Sequence, residues 1–163
     1  GGNQDWWEIP PPFDGRELYE AARLEGPGCL KRLWMTNVPA KEWLFYFDGE
    51  DAPRLRLPQG QLFGARREFQ PLCGNVSGGA YVYLPFPYAR SLRIVLRIPE
   101  RNPPQERPYF HIQYERYPEG TLVESWSPEA EAAASNLVAR STAAWQRSGE
   151  DAAAVLSRMA WTR

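Results

Sequence analysis

The chain has 163 residues, 19 basic against 20 acidic side chains, and a net charge of −1. That length suits one domain and lets roughly 70% of the unfolded surface be buried, so folding needs neither a metal nor a disulfide. The balanced charge lacks the basic stripe that a nucleic-acid backbone favours, and no apolar run approaches the ~20 residues of a membrane span, so neither partner is expected.

The sequence opens Gly1-Gly2-Asn3 without an initiating Met and ends Met159-Ala160-Trp161-Thr162-Arg163, with no signal-peptide pattern; a fragment of a longer protein is expected. Residues 1–15 are Gly/Pro-rich, and Pro10-Pro11-Pro12 forces an extended segment. If it is extended, the adjacent Trp6 and Trp7 point opposite ways, one to dock on the core and one left available.

Leu18 to Arg23 predicts a first strand, followed by a Gly26-Pro27-Gly28 turn and a second strand from Cys29 to Thr36. Trp43 to Phe47 is the third, closed by the turn signal Asp48-Gly49-Glu50-Asp51, whose acids are expected to be solvated. Arg54-Leu55-Arg56-Leu57 alternates as a half-buried strand does, and Pro58 to Gly64 reads as a loop or a single helical turn. Residues 65–79 read as a long irregular connection. Tyr81 to Leu84 is a strand stopped by Pro85-Phe86-Pro87, and Leu92, Ile94, Leu96 and Ile98 alternate as the clearest strand in the chain. After a Pro-rich loop at 101–108, Phe110, Ile112 and Tyr114 are expected to face the core, with His111, Gln113 and Glu115 sharing the other face. That polar face is either solvated or the floor of a binding cleft.

Composition shifts at Ser127. Ser127-Pro128-Glu129 supplies an N-cap, a proline at the first helical position and an acid in the first turn. One helix is predicted from Ala132 through Gln146, with Leu137, Ser141 and Trp145 on one face, Val138 adjacent to it and Gly149 as its C-cap, and a second Ala-rich segment runs from Ala152 to Leu156. The predicted organisation is a β-sandwich over 1–126 and a helical segment over 127–163.

Cys29 and Cys73 either pair or remain ordinary buried thiols, the latter being expected. The single histidine cannot nucleate a His-rich metal site, and the chain carries no phosphate loop, dinucleotide fingerprint, metal-ligand spacing or nucleophile elbow, so no cofactor and no metal are expected. With 7 Trp, 8 Tyr and 7 Phe, the rings serve either a core of large side chains or faces offered to sugars or partner proteins. A glycosidase needs two carboxylates about 5–9.5 Å apart, and a sequence alone does not pair them.

Several segments, in order, resemble glycoside hydrolase family 172. Gly1-Gly2-Asn3-Gln4-Asp5 is similar to that family's Gly-Gly-Asn-x-Asp opening, and Glu25 to Leu30 with Leu33-Trp34-Met35-Thr36 to its Gly-Pro-Gly turn and following strand. Phe45 to Glu50 resembles its strand ending in Asp-Gly-Glu, Leu57 to Gly64 its Pro-x-Gly-Asp-Phe-Phe-Gly segment, and Tyr83 to Ile94 its Tyr-x-Pro-Met-Pro-Phe and next strand. Gln113-Tyr114-Glu115 is similar to its late strand. The resemblance covers roughly residues 1–117 and implies the first of two jelly rolls, which the family assembles into trimers or hexamers. It implies retaining chemistry on furanosides through two carboxylates. The Gly-x-Gly-x-Glu-Asp-Tyr segment that carries them in the family's second roll does not occur here, and Gln61 replaces the Asp of Gly-Asp-Phe-Phe-Gly. The residues carried over are Asn3 and Asp5 as hydroxyl-binding groups and Trp7 and Trp34 as sugar-stacking rings; no catalytic residue is assigned. The expectation is a mainly β chain: a single antiparallel jelly-roll β-sandwich with a C-terminal α-helix, serving as a jelly-roll half or one-roll relative of a furanoside-processing glycosidase. Its expected partners are a furanoside carbohydrate and either further copies of itself or a second jelly roll. The alternative is a non-catalytic jelly roll for carbohydrate binding or self-assembly.

Overall fold

The computed structural model describes residues 18–36, 42–58, 62, 71–76, 78–98 and 109–158, with side chains up to 148. Among the described residues nine strands come first: β1 (Leu18–Glu25), β2 (Gly28–Thr36), β3 (Glu42–Phe47), β4 (Leu55–Pro58), β5 (Cys73–Val76), β6 (Gly79–Val82), β7 (Phe86–Tyr88), β8 (Ser91–Arg97) and β9 (Tyr109–Arg116). Two helices follow, α1 (Pro128–Ala133) and α2 (Ser135–Arg158).

The strands form two antiparallel sheets. The first has the order β1-β8-β3-β4. In the second, β2 is central: β6 and β7 pair end to end along one side of it, with β5 beyond β6, and β9 pairs along the other side. The winding is that of a jelly roll. The ribbon β1–β2 passes from one sheet to the other through Gly26-Pro27, and the ribbon β7–β8 does so beside it through Ala89-Arg90. The Gly26 amide donates to the Arg90 carbonyl at 2.8 Å, which ties the two corners together.

One core lies between the sheets. Phe45, Leu92 and Ile94 from the first sheet meet Leu33, Met35, Val82 and Phe86 from the second, all at most 1% exposed. Rings run through it in series: Phe45 stacks on Phe86 at 5.3 Å, and Phe86 and Phe47 reach Trp126 at 5.9 and 5.7 Å. β3 reads as a continuous apolar run because both its faces are covered. Leu44 and Tyr46 join Val95 and Leu18 in a second, smaller cluster on the far side of the sheet. Within β2 an extra residue, Lys31, shifts the register between Leu30 and Arg32, so Leu30 and Leu33 both face inward although three positions apart. Cys29 and Cys73 are buried thiols not joined in a disulfide, and burial pushes the Cys29 thiol up, keeping it protonated.

Three expectations are corrected. The stretch 65–79 is not irregular throughout, since β5 and the start of β6 lie within it. The helical segment is two helices, divided at Ala134, whose amide donates to the Ala130 carbonyl at 3.0 Å. Gly149 does not cap α2, which continues to Arg158; the Ala-rich sequence around it outweighs the ~1 kcal/mol that a glycine costs inside a helix. The cap at the other end is as expected: the Ser127 hydroxyl accepts from the Ala130 amide at 3.0 Å, ahead of Pro128.

In the turn after β3, Asp51 is exposed as expected, but Asp48 is not solvated. Asp48 takes a positive φ of 53°, which a short polar side chain tolerates. Its carboxylate accepts from the Arg90 amide at 2.7 Å, from the Ser91 amide and from the Ser125 hydroxyl, and Arg54 stands 4.0 Å away. Arg54 also pairs with Glu50 and donates to the Trp126 carbonyl at 2.8 Å, so one carboxylate–guanidinium cluster ties β3, the β7–β8 corner and the chain before α1. Burial pushes the Asp48 carboxyl up, but the Ser125 hydroxyl, the two amides and Arg54 outweigh it and hold the carboxyl below its ordinary 3.8. A depressed folded-state value adds stability above pH 3.8, and that stability is lost as pH falls through the folded value. Asp48→Asn is therefore expected to lower Tm at neutral pH, with the gap from the unsubstituted protein closing below about pH 3.8. A thermal-melt series in acid checks this; a gap of constant size down to pH 2 contradicts it.

Candidate functional site: an aromatic face on the outer sheet

Of the side chains carried over from sequence, Trp34 is described, and Asn3, Asp5 and Trp7 lie outside the described residues. Trp34 is half-buried on the outer face of the second sheet, between the inward Leu33 and Met35. The ladders place Gly74, Tyr81, Trp34 and His111 in one row across β5, β6, β2 and β9. Next to it Arg32 stands opposite Gln113, and its guanidinium lies 5.6 Å from the centre of the Tyr83 ring.

Two rings of this face lie along the sheet because glycines leave them room. A Cβ at position 79 would fall 2.6 Å from Trp34 Nε1, and one at position 74 would fall 2.9 Å from Tyr81 Oη. Each ring fills the space that a neighbouring side chain would occupy and covers backbone that glycine leaves bare. The surface continues through Tyr81 and Tyr83 at 5.7 Å to Trp145 of α2, which meets Tyr83 edge-on at 4.9 Å. On the other side His111 tilts against Trp34 at 5.3 Å. Tyr83 is 36% exposed and Trp145 44%, so these rings face solvent. Polar groups border them: Arg32 donates to Gln113 Oε1 at 3.4 Å, and the Thr36 hydroxyl donates to the Gly78 carbonyl at 2.8 Å.

β9 alternates as predicted, although Tyr114, expected to face the core, is 52% exposed. Phe110 and Ile112 pack toward the core, and His111 and Gln113 stand on the Trp34 side. The face as a whole was less legible. The i, i+2 pair Tyr81 and Tyr83 signals a shared side, but its meeting with Trp34 depends on pairing between strands far apart in sequence. The predicted face of α2 meets the sandwich in part, through Trp145 and the adjacent Val138. Val138 packs against the core, while Leu137 is 61% exposed.

A concavity of about 200 Å³ lies by the Asp48 turn on the first sheet. Its charges are largely matched among themselves or open to water. Arg23 pairs with Glu20 at 2.8 Å, Arg93 lies over the Tyr46 ring at 4.3 Å, Glu50 pairs with Arg54, and Glu25 and Asp51 are exposed. It holds no pair of buried acids facing each other.

A comparison with curated proteins returns no match. The family model described as GH172 first beta-sandwich domain matches residues 14–134, which run from before β1 to the break between the two helices. The chain belongs to glycoside hydrolase family 172 and carries that family's first β-sandwich domain.

Proposed function

We propose that this sandwich serves a furanoside-processing glycoside hydrolase as its jelly-roll half or one-roll relative. It contributes a carbohydrate-binding face and a surface for assembly with its own copies or with a second jelly roll, and the catalytic carboxylates come from elsewhere. The observation that carries this reading is the pair of rings, Trp34 and Tyr81, lying along the sheet over glycines with Arg32, Gln113 and His111 at their edge. A sugar presents C–H groups on one face and hydroxyls around its rim. Flat rings take the first, and guanidinium and amide groups take the second. On this reading Trp34 stacks on a sugar ring, Trp7 adds a second stacking ring, and Asn3 and Asp5 bind hydroxyls.

The test is calorimetric titration of the full chain with arabinofuranose or fructofuranose oligosaccharides. Trp34→Ala is expected to weaken binding about tenfold, the equivalent of roughly 1.4 kcal/mol, with the far-UV spectrum retained. Equal affinity in the variant, or none in the unsubstituted chain, contradicts the reading. The chain alone is expected not to turn over nitrophenyl arabinofuranoside, and robust turnover would place the chemistry within it. A second reading is a non-catalytic module for carbohydrate binding or self-assembly, favoured by the solvent-facing rings of Tyr83 and Trp145. A strict monomer with no sugar affinity would remove both forms of it.

A further inference from the structure

The second sheet is poor in acids. Its strands β2, β5, β6, β7 and β9 contain a single one, Glu115, and Lys31 takes it at 3.1 Å. That pairing leaves Arg32, the next residue on β2, without a carboxylate among the described residues. On the first sheet, by contrast, Arg23, Arg56 and Arg97 all stand against carboxylates. α2, which brings Trp145 to the aromatic face, adds Arg140 and Arg147 and no acid over residues 135–148.

Arg32 is nevertheless held in place. On the β6 side its guanidinium lies 5.6 Å from the centre of the Tyr83 ring, and on the β9 side its Nη1 donates to Gln113 Oε1 at 3.4 Å. Both neighbours are neutral, so they orient the cation without cancelling its charge. Nε is buried with no hydrogen-bond partner, and Nη2 meets no acceptor, among the described residues. An unmatched, half-buried guanidinium costs stability, and a ligand anion that pairs with it recovers that cost. Two residues along the strand, about 7 Å away, Trp34 lies on the same outer face.

We infer that Arg32 makes this face selective for an acidic sugar chain, one whose carboxylate, or sulfate or phosphate ester, is carried by the sugar that stacks on Trp34 or by its neighbour. This deepens the carbohydrate reading above and rests on it. The shared chemistry is a pair of anionic oxygens, which the planar end of a guanidinium takes as two parallel hydrogen bonds. The chain's net charge of −1 supplies no general attraction for polyanions, so a preference for acid comes from the local charge of Arg32.

The test is calorimetric titration of the full chain with three ligands built on one arabinofuranose oligosaccharide. They are the parent, the same chain with its terminal C5 alcohol oxidised to a carboxylate, and the same chain with a sulfate ester at that oxygen. The better of the two acidic ligands is expected to bind about fivefold more tightly than the parent at low salt, the upper range for one exposed ion pair, and below about twofold more tightly in ~0.5 M salt. Which acidic ligand is tighter distinguishes a uronate from an ester as the source of the charge. Arg32→Gln is expected to bring the ratio to about one, whatever it does to the affinity for the parent, while Arg56→Gln, which removes an equal charge from the first sheet, leaves it at about fivefold. Equal binding of all three ligands by the unsubstituted chain, or a preference that survives Arg32→Gln, overturns the inference and leaves the carbohydrate reading standing. Binding of none of them removes both. A preference that depends on Arg32 but is indifferent to Trp34→Ala keeps the anion site and removes the stacking reading alone.

Discussion

Trp126→Ala is expected to cost the fold about 3–5 kcal/mol, the range for deleting a buried large aromatic, and to lower Tm by roughly 10 °C. Trp126 is 6% exposed and closes the ring series of the core against Phe47 and Phe86. Its indole Nε1 donates to Glu131 at 2.9 Å, so the same side chain holds α1 to the sandwich. Its amide donates to the Pro87 carbonyl at 2.8 Å, so the chain leaving the sandwich is pinned to the strand that carries Phe86. Trp126→Phe keeps most of the buried area, loses only the bond to Glu131, and is expected to cost much less. Denaturant unfolding of the three proteins gives the result. A loss below about 1 kcal/mol for the alanine variant would show that the segment before α1 is an appendage rather than part of the core.

Gly28→Ala is expected to destabilise by about 3 kcal/mol, at the upper end for overpacking, although it adds only one methyl. Gly28 is buried at the start of β2, and its missing Cβ would fall 2.5 Å from Tyr88 Oη and 2.6 Å from the Glu115 carbonyl oxygen. Neither neighbour yields readily, because Tyr88 is fully buried and Glu115 lies within the β9 ladder. Tyr88 Oη finds no hydrogen-bond partner among the described residues, and burial pushes its pKa up to about 12, so the phenol stays neutral. Tyr88→Phe alone is therefore expected to be near neutral, since it removes a buried hydroxyl with no hydrogen-bond partner among the described residues. In the Gly28→Ala background it removes the closest of the three contacts, leaving Tyr88 Cζ at 2.7 Å and the Glu115 carbonyl at 2.6 Å, and is expected to recover a small part of the loss. A double-mutant cycle measures this coupling, and strict additivity of the two substitutions contradicts the packing described.

These two sites show what local sequence could and could not reveal. The Gly26-Pro27-Gly28 turn was legible, because the residue types themselves demand a tight corner. That Gly28 also makes room for Tyr88 was not, because Tyr88 arrives from the other ribbon of the jelly roll. β8 was legible because Leu92, Ile94 and Leu96 alternate over one core. β5 was not, since Cys73-Gly74-Asn75-Val76 reads as a loop until Tyr81 lies across Gly74 and gives that glycine its reason. Asp48 was placed correctly in its turn but wrongly in water, because its partners Arg90, Ser91 and Ser125 lie more than 40 positions on. The candidate face follows the same pattern. Trp34 was named from the sequence, while Tyr81, Tyr83 and Arg32 depended on register between distant strands and Trp145 on the docking of a helix.

The central claim is that the outer face built on Trp34 is where sugar binds. The most direct measurement is the ¹H–¹⁵N spectrum of the full chain titrated with an arabinofuranose oligosaccharide. The account predicts saturable shifts at the indole N–H of Trp34 and at the amides of Arg32, Tyr81, His111 and Gln113, with the Asp48 turn silent. Shifts confined to the groove between Arg23 and Arg93, or none at saturating sugar, would contradict it.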